Sequence, residues 1–261
     1  MLSFVESMIL GVVQGLTEWL PISSSGHLAL VQQLFGWHPP LLFHVLLHVG
    51  TLFVVAAFLR KDIKAVLQAF GRRDFKSEEG RLGVFVAVGS VPTAAIGIVF
   101  KDPFESFFDN LLVVGLGLLA TGVLLAISQR KENKKALGYL DALLVGTAQG
   151  IAIIPGVSRS GATISTGLLR GVDRETVFKF SFLLFIPAVL GATVVESSDF
   201  SLLASSADVA SVAVGVTLSM VVGFLSLKAM QRIIVRQKLH WFAPYCLMVG
   251  ALLMVSQIIL A

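Results

Sequence analysis

Charge is scarce in this chain, and no lysine or arginine occurs before Arg60. Asp, Glu, Lys and Arg together make up 14% of 261 residues, against about 25% in an ordinary soluble domain. A soluble fold would have to leave much of its surface without charge. There is one cysteine, Cys246, so disulfides contribute nothing to stability. Without a basic segment at the amino end, residues 1–20 do not read as a secretory leader and are expected to belong to the mature protein. The net charge of +4 is no nucleic-acid footprint, because the basic residues are confined to particular connections.

Apolar residues fill the space. They form 56% of the chain, and the mean hydropathy is +0.87, the composition of a polytopic membrane protein. Six windows are long and apolar enough to cross a bilayer as helices: 41–59, 82–100, 111–127, 176–195, 209–227 and 241–261. Between them, connection 60–81 holds seven Lys and Arg, 128–138 holds four and 228–238 holds four. Connections 101–110 and 196–208 hold one and none. The positive-inside rule makes the first three cytoplasmic and puts the last two, with both termini, outside.

Two segments are copies of each other. Residues 11–26 align without a gap to 146–161, with identities at Gly11/Gly146, Gln14/Gln149, Gly15/Gly150, Ser23/Ser158, Ser25/Ser160 and Gly26/Gly161. The differences divide the reactive groups: Glu18 faces Ile153, Ser24 faces Arg159 and His27 faces Ala162. Each copy is an apolar stretch broken by Pro, Gly and Ser, as 3–20 then 24–36, and 139–154 then 159–171. The piece after each break spans roughly 20 Å as helix, too short to cross. Backbone freed at such a break survives in a membrane only inside protein or beside water. Each unit therefore reads as a re-entrant helix-loop-helix. Repeat one (1–130) and repeat two (136–261) each combine one such unit with three spans, and an odd number of spans turns the second copy upside down. The expected architecture is an all-α polytopic membrane protein, a single membrane domain with an inverted-topology repeat. It has six full transmembrane helices plus two re-entrant units whose tips meet near the midplane.

The tips carry the chemistry. Arg159 inside an apolar segment is costly and by default functional. With Ser158 and Ser160 beside it, Thr163 one turn later and a helix starting there, it makes an anion site that favours phosphate. The first tip brings Ser23, Ser24 and Ser25, with His27 three residues past Ser24 on the same helix face. A Ser–His pair is able to attack phosphorus or move its protons. Glu18 follows Gln14 by one turn, so both point the same way. It reads equally as a general base, an orienter of His27 or a ligand for a hard divalent cation. The plainer alternatives are an Arg159–Glu18 pair kept for structure and a serine-rich turn that only caps a helix. His44 and His48, spaced i,i+4, are read as packing or a pocket wall rather than a metal site. Asp141 reads as a helix N-terminal charge, and Gln14 and Gln149 as partners for backbone freed at the tips.

At these residues the chain resembles the undecaprenyl-diphosphate phosphatase family, integral membrane enzymes linked to bacitracin resistance. Gln14-Gly15-Leu16-Thr17-Glu18 is similar to the family's (E/Q)xxxE motif, and Leu20-Pro21-Ile22-Ser23-Ser24-Ser25-Gly26-His27 to its following Ser/His segment. Pro155-Gly156-Val157-Ser158-Arg159-Ser160-Gly161-Ala162-Thr163 is similar to its PGxSRSxxT motif. Gln14 stands where many members carry Glu, and His44 where many carry an acidic residue. The likeness implies hydrolysis of a polyprenyl diphosphate to the monophosphate and inorganic phosphate, which recycles the lipid carrier of cell-wall precursors. It also implies a divalent cation (Mg or Ca) with Glu18 as ligand, a plasma-membrane location and a site reached from the outer face. Glu18, Ser24, His27 and Arg159 are the expected catalytic residues, with Gln14, Ser23, Ser25, Ser158, Ser160 and Thr163 binding substrate. Ser24 is the expected nucleophile, with a metal- or Glu18-activated water as the alternative. The rival function is a polyprenyl-phosphate carrier that uses the inverted repeat for alternating access.

Overall fold

Lipid offers no partner to a backbone N–H or C=O, so a chain this apolar must satisfy them within helices. The computed structural model describes residues 3–100, 107, 108, 110–128, 135–195 and 206–260. Most of connections 101–110, 128–138 and 196–208 lies outside the described residues. Among those described, all regular structure is helical, apart from one bridge pairing Lys135 with Val172. The first half contains α1 (Phe4–Thr17), α2 (Ser24–Phe35), α3 (Leu41–Phe58), α4 (Arg60–Gly71), α5 (Glu78–Val99) and α6 (Leu111–Ile127). The second contains α7 (Tyr139–Ile151), α8 (Arg159–Leu169), α9 (Arg174–Val195), α10 (Ser206–Val235) and α11 (Ala243–Leu260), with a 3₁₀ turn at Leu239–Phe242 before α11.

Four stretches are long and apolar enough to cross a membrane: Glu78–Val99, Arg174–Val194, Val209–Val235 and Leu239–Ile259. They coincide with four of the six expected spans. The other two are present as α3 and as α6, which is about 25 Å long. The departure lies after α3. Connection 60–81, expected as a basic loop, begins with a helix, α4, that turns 77° away from α3 at Leu59. The short helices stop where their sequences dictate. Pro21 and Pro155 follow the ends of α1 and α7 and cannot continue them, and Gly36, at φ 65°, closes α2 in the left-handed region.

Helices in lipid associate through close packing, for which small residues are needed. Gly11 and Gly15 of α1 press on Gly215, Ser219 and Gly223 of α10; a methyl group on Gly11 would strike the Gly215 carbonyl. In the same way Gly146 of α7 presses on Gly89 of α5, and Gly150 on Ile96. Each short helix thus lies against a long helix of the opposite half. α6 and α11 pair through Gly115 and Gly250, where added methyl groups would come within 3.1 and 2.8 Å of each other's carbonyl oxygens. The main core gathers Trp19, Phe178, Phe180, Phe182, Phe185 and Leu184 around the tips. The outer surface carries exposed Val91, Ile98, Val194, Leu225 and Ile258, a lipid-facing coat.

Candidate active site

Both tips are built the same way. Ser23 caps α2, its Oγ accepting from the Gly26 N–H at 3.2 Å, and Ser158 caps α8 by the same bond to Gly161 at 3.1 Å. The next serine lies alongside in each, Ser23 Oγ to Ser25 Oγ at 3.2 Å and Ser158 Oγ to Ser160 Oγ at 3.3 Å. Ser23 is held at φ 69°, a strain of about 1–3 kcal/mol for a residue with a side chain. Its sharp turn sends the chain back toward Glu18. At the second tip Gly156 has φ 90°, and a side chain there would run into the Val114 carbonyl. Thr121 of α6 secures this backbone, donating to the Gly156 carbonyl at 3.1 Å and accepting the Ser158 N–H at 2.9 Å. The tips touch: Ser160 Oγ donates to the Leu20 carbonyl at 3.3 Å.

Glu18, with 5% of its side chain exposed, is the centre of the site. One oxygen, Oε1, accepts from Arg159 Nη2 at 2.9 Å. The other, Oε2, accepts from Ser24 Oγ at 2.7 Å and from Gln14 Nε2 at 2.9 Å. His48 Nε2 lies 3.6 Å from Oε2, an ion pair when the ring is protonated. Arg159 reaches across from the second tip, its guanidinium 4.0 Å from the centre of the Phe185 ring and within 6 Å of Trp19 and Phe182. Its other terminal nitrogen, Nη1, is buried with no hydrogen-bond partner. A buried, unsatisfied donor costs on the order of 1–3 kcal/mol, so Nη1 would gain from an acceptor brought from elsewhere.

Of the expected residues, Gln14, Glu18, Ser24 and Arg159 come together in direct contact. The expected Ser24–His27 pair is not formed. His27 Nδ1 donates to the Ser23 carbonyl at 2.7 Å, so its Nε2 is left to accept from the Tyr245 hydroxyl, also at 2.7 Å. The two rings stack at 5.7 Å. Ser23, Ser158 and Ser160 spend their hydroxyls on the tips themselves, and Ser25 lies against Ser23. Thr163 Oγ1 donates to the Arg159 carbonyl at 2.8 Å and lies 2.6 Å from Ser181 Oγ. These groups hold the two tips in shape. Three residues that local spacing could not place also belong here: His48 on α3, Phe185 on α9 and Tyr245 on α11. Gln149 has no part in the site; its Nε2 donates to the Leu184 carbonyl at 3.1 Å. Asp141 binds Lys135 and Arg170 at 2.7 and 2.9 Å, which ties the start of α7 to the end of α8.

A bundle of apolar helices that hides an Arg–Glu pair where two broken helices meet is a polytopic membrane protein. The chain belongs to the bacitracin resistance protein BacA family, whose model matches residues 7–252. It is similar to an undecaprenyl-diphosphatase from Carboxydothermus hydrogenoformans, 42% identical over 97% of each chain. One from Methanosphaera stadtmanae is 39% identical over the full length of both. One from Syntrophotalea carbinolica is 41% identical over 96% of this chain and 98% of the relative.

Proposed function

We propose that the chain is an undecaprenyl-diphosphatase of the plasma membrane that hydrolyses a polyprenyl diphosphate to the monophosphate and inorganic phosphate, which regenerates the lipid carrier of cell-wall synthesis. The observation that carries the chemistry is the Ser24–Glu18–Arg159 line with Arg159 Nη1 unspent. Terminal phosphate oxygens accept from Nη1 and from the N–H groups at the starts of α2 and α8. Ser24 Oγ attacks the terminal phosphorus while its proton passes to Glu18 Oε2. The bond from that phosphorus to the bridging oxygen breaks, its electrons stay on the oxygen, and the polyprenyl monophosphate leaves. Water then attacks the phosphoserine, the bond from phosphorus to Ser24 Oγ breaks as Glu18 returns its proton to that oxygen, and phosphate departs carrying both protons of the water. The carrier alternative has no support from the relatives' names.

A divalent cation, Mg or Ca, fits beside Glu18. Gln14 Oε1 is buried there without a hydrogen-bond partner, and amide and carboxylate oxygens are the donors such a cation takes. The described residues contain no cluster of three or more His, Cys, Asp and Glu placed for a metal, so diphosphate oxygens and water would complete the coordination. Bound there, it would neutralise charge on the phosphates. The test of the reaction is direct: purified protein given polyprenyl diphosphate releases inorganic phosphate, and given the monophosphate releases none. Folded protein that releases nothing from the diphosphate, with Mg or Ca supplied, would overturn it.

The same reading takes the halves as an inverted repeat, with both termini and the first tip outside and the site open to the outer face. The distribution of Lys and Arg supports it, as do the matching serine caps and the crossed pairing of α1 with α10 and α7 with α5. In a Cys246→Ser background, single cysteines at 103–109 and 197–207 should label with an impermeant thiol reagent from outside. Cysteines at 72–78 and 131–136 should label only after permeabilisation. Labelling of both sets from one side sinks the inverted arrangement.

A further inference from the structure

The elbow between α3 and α4 lies apart from the tips, and its chemistry is unused by the reaction. α4 leaves α3 at 77°; if α3 runs along the bilayer normal, α4 lies near the membrane plane, where amphipathic helices settle. Its composition suits that depth. Leu67 and Phe70 are exposed, as is Phe75 just beyond the helix, while Arg60, Lys61 and Lys64 occupy its first turns. Beside the bend lies a shallow, open groove lined by Ala56, Arg60, Ile63, Lys64, Leu67 and Gln68. Arg60 and Lys64 are one turn apart and share a face. Neither has an ion-pair partner among the described residues. Asp62, the acid between them, is turned away to Lys179 Nζ at 3.2 Å.

We infer that this elbow binds an anionic glycerophospholipid of the bilayer, its phosphate held between Arg60 and Lys64 and its upper chain along Ala56, Ile63 and Leu67. Two cations without acids beside an apolar wall match a molecule that is anionic at one end and apolar at the other. A free phosphate would use only the cations, and a neutral lipid only the wall. Basic pockets at the membrane surface recognise acidic lipid heads by this chemistry. The assignment needs only the membrane and stands apart from the phosphatase reading.

The test uses the full chain in mixed micelles of phosphatidylglycerol and phosphatidylcholine, with native mass spectrometry counting retained lipids. Wild type should retain phosphatidylglycerol selectively, and the double variant Arg60→Gln/Lys64→Gln should lose about tenfold of that preference. A double variant that removes equal charge elsewhere, Lys228→Gln/Arg236→Gln, should keep it. Leu67→Asn should weaken retention with both cations in place. Equal retention of the two lipids by wild type overturns the site, and so does equal loss in the two charge variants. Displacement of the bound lipid by inorganic phosphate alone would make it an anion site and not a lipid site. Preferential retention of polyprenyl monophosphate over phosphatidylglycerol would assign the groove to the carrier lipid and equally overturn the proposal.

Discussion

Arg159→Lys should lose at least ~100-fold in turnover, about 3 kcal/mol of transition-state stabilisation. The reason is the division of labour within one guanidinium. Nη2 holds Glu18 at 2.9 Å, Nη1 has no partner within the protein and is proposed to take the phosphate, and the central carbon lies 4.0 Å over the Phe185 ring. An ammonium is a compact point charge that reproduces neither the fork nor the stacking. If that ammonium follows Glu18 it abandons the phosphate; if it follows the phosphate it strands a buried carboxylate, which costs a few kcal/mol. The measurement is phosphate release at saturating polyprenyl diphosphate, with expression and monodispersity checked beside wild type. Turnover within a few-fold of wild type would remove Arg159 from the cradle.

Ser24→Ala and Glu18→Gln should both be severe, and their comparison identifies the attacking oxygen. If Ser24 attacks, Ser24→Ala abolishes turnover while substrate binding persists, because the cradle is made chiefly by Arg159 and the two helix ends. The alanine also leaves Glu18 with Arg159 and Gln14, so the fold is spared. Glu18→Gln removes the proton acceptor and leaves the buried Arg159 without the carboxylate that pairs with it, so it should lose both rate and stability. A water mechanism reverses the order, with Ser24→Ala retaining activity and Glu18→Gln the more damaged. A Ser24→Ala enzyme within ~10-fold of wild type at saturating metal, about 1.4 kcal/mol, would exclude the serine as nucleophile.

The tips were legible because Pro21, Pro155 and the serines beside them act locally: proline stops a helix and serine caps the next one. The long apolar windows were legible for the same reason. The Ser24–His27 pair was misread because helical spacing governs side chains inside a helix. Ser24 is the first residue of α2, free to turn back to Glu18, and His27 bonds the Ser23 carbonyl one turn before it. Nothing local could reveal Tyr245, which reaches His27 from α11, or the position of His48 beside Glu18. α4 is a different case. Ile63, Val66, Leu67 and Phe70 recur at the spacing of a helix face, a signal present in the sequence but overshadowed by the positive charge around it.

The crossed packing of short on long helices has a consequence for synthesis on the ribosome. α1 emerges first, yet the glycine, serine and glycine of α10 that receive Gly11 and Gly15 come only after the chain from Thr17 to Ser206 has been made. At ~5–20 residues per second that is a wait of roughly ten to forty seconds. For that interval a helix too short to cross the bilayer carries Gln14 and, at its end, Glu18 without α10 to pack on, and for most of it without Arg159. α7 has no such delay, since α5 with Gly89 is already in place when Gly146 appears. The nascent amino-terminal segment therefore has to lodge at the membrane surface or against the insertion machinery until α10, which starts at Ser206 of 261 residues, draws it into position.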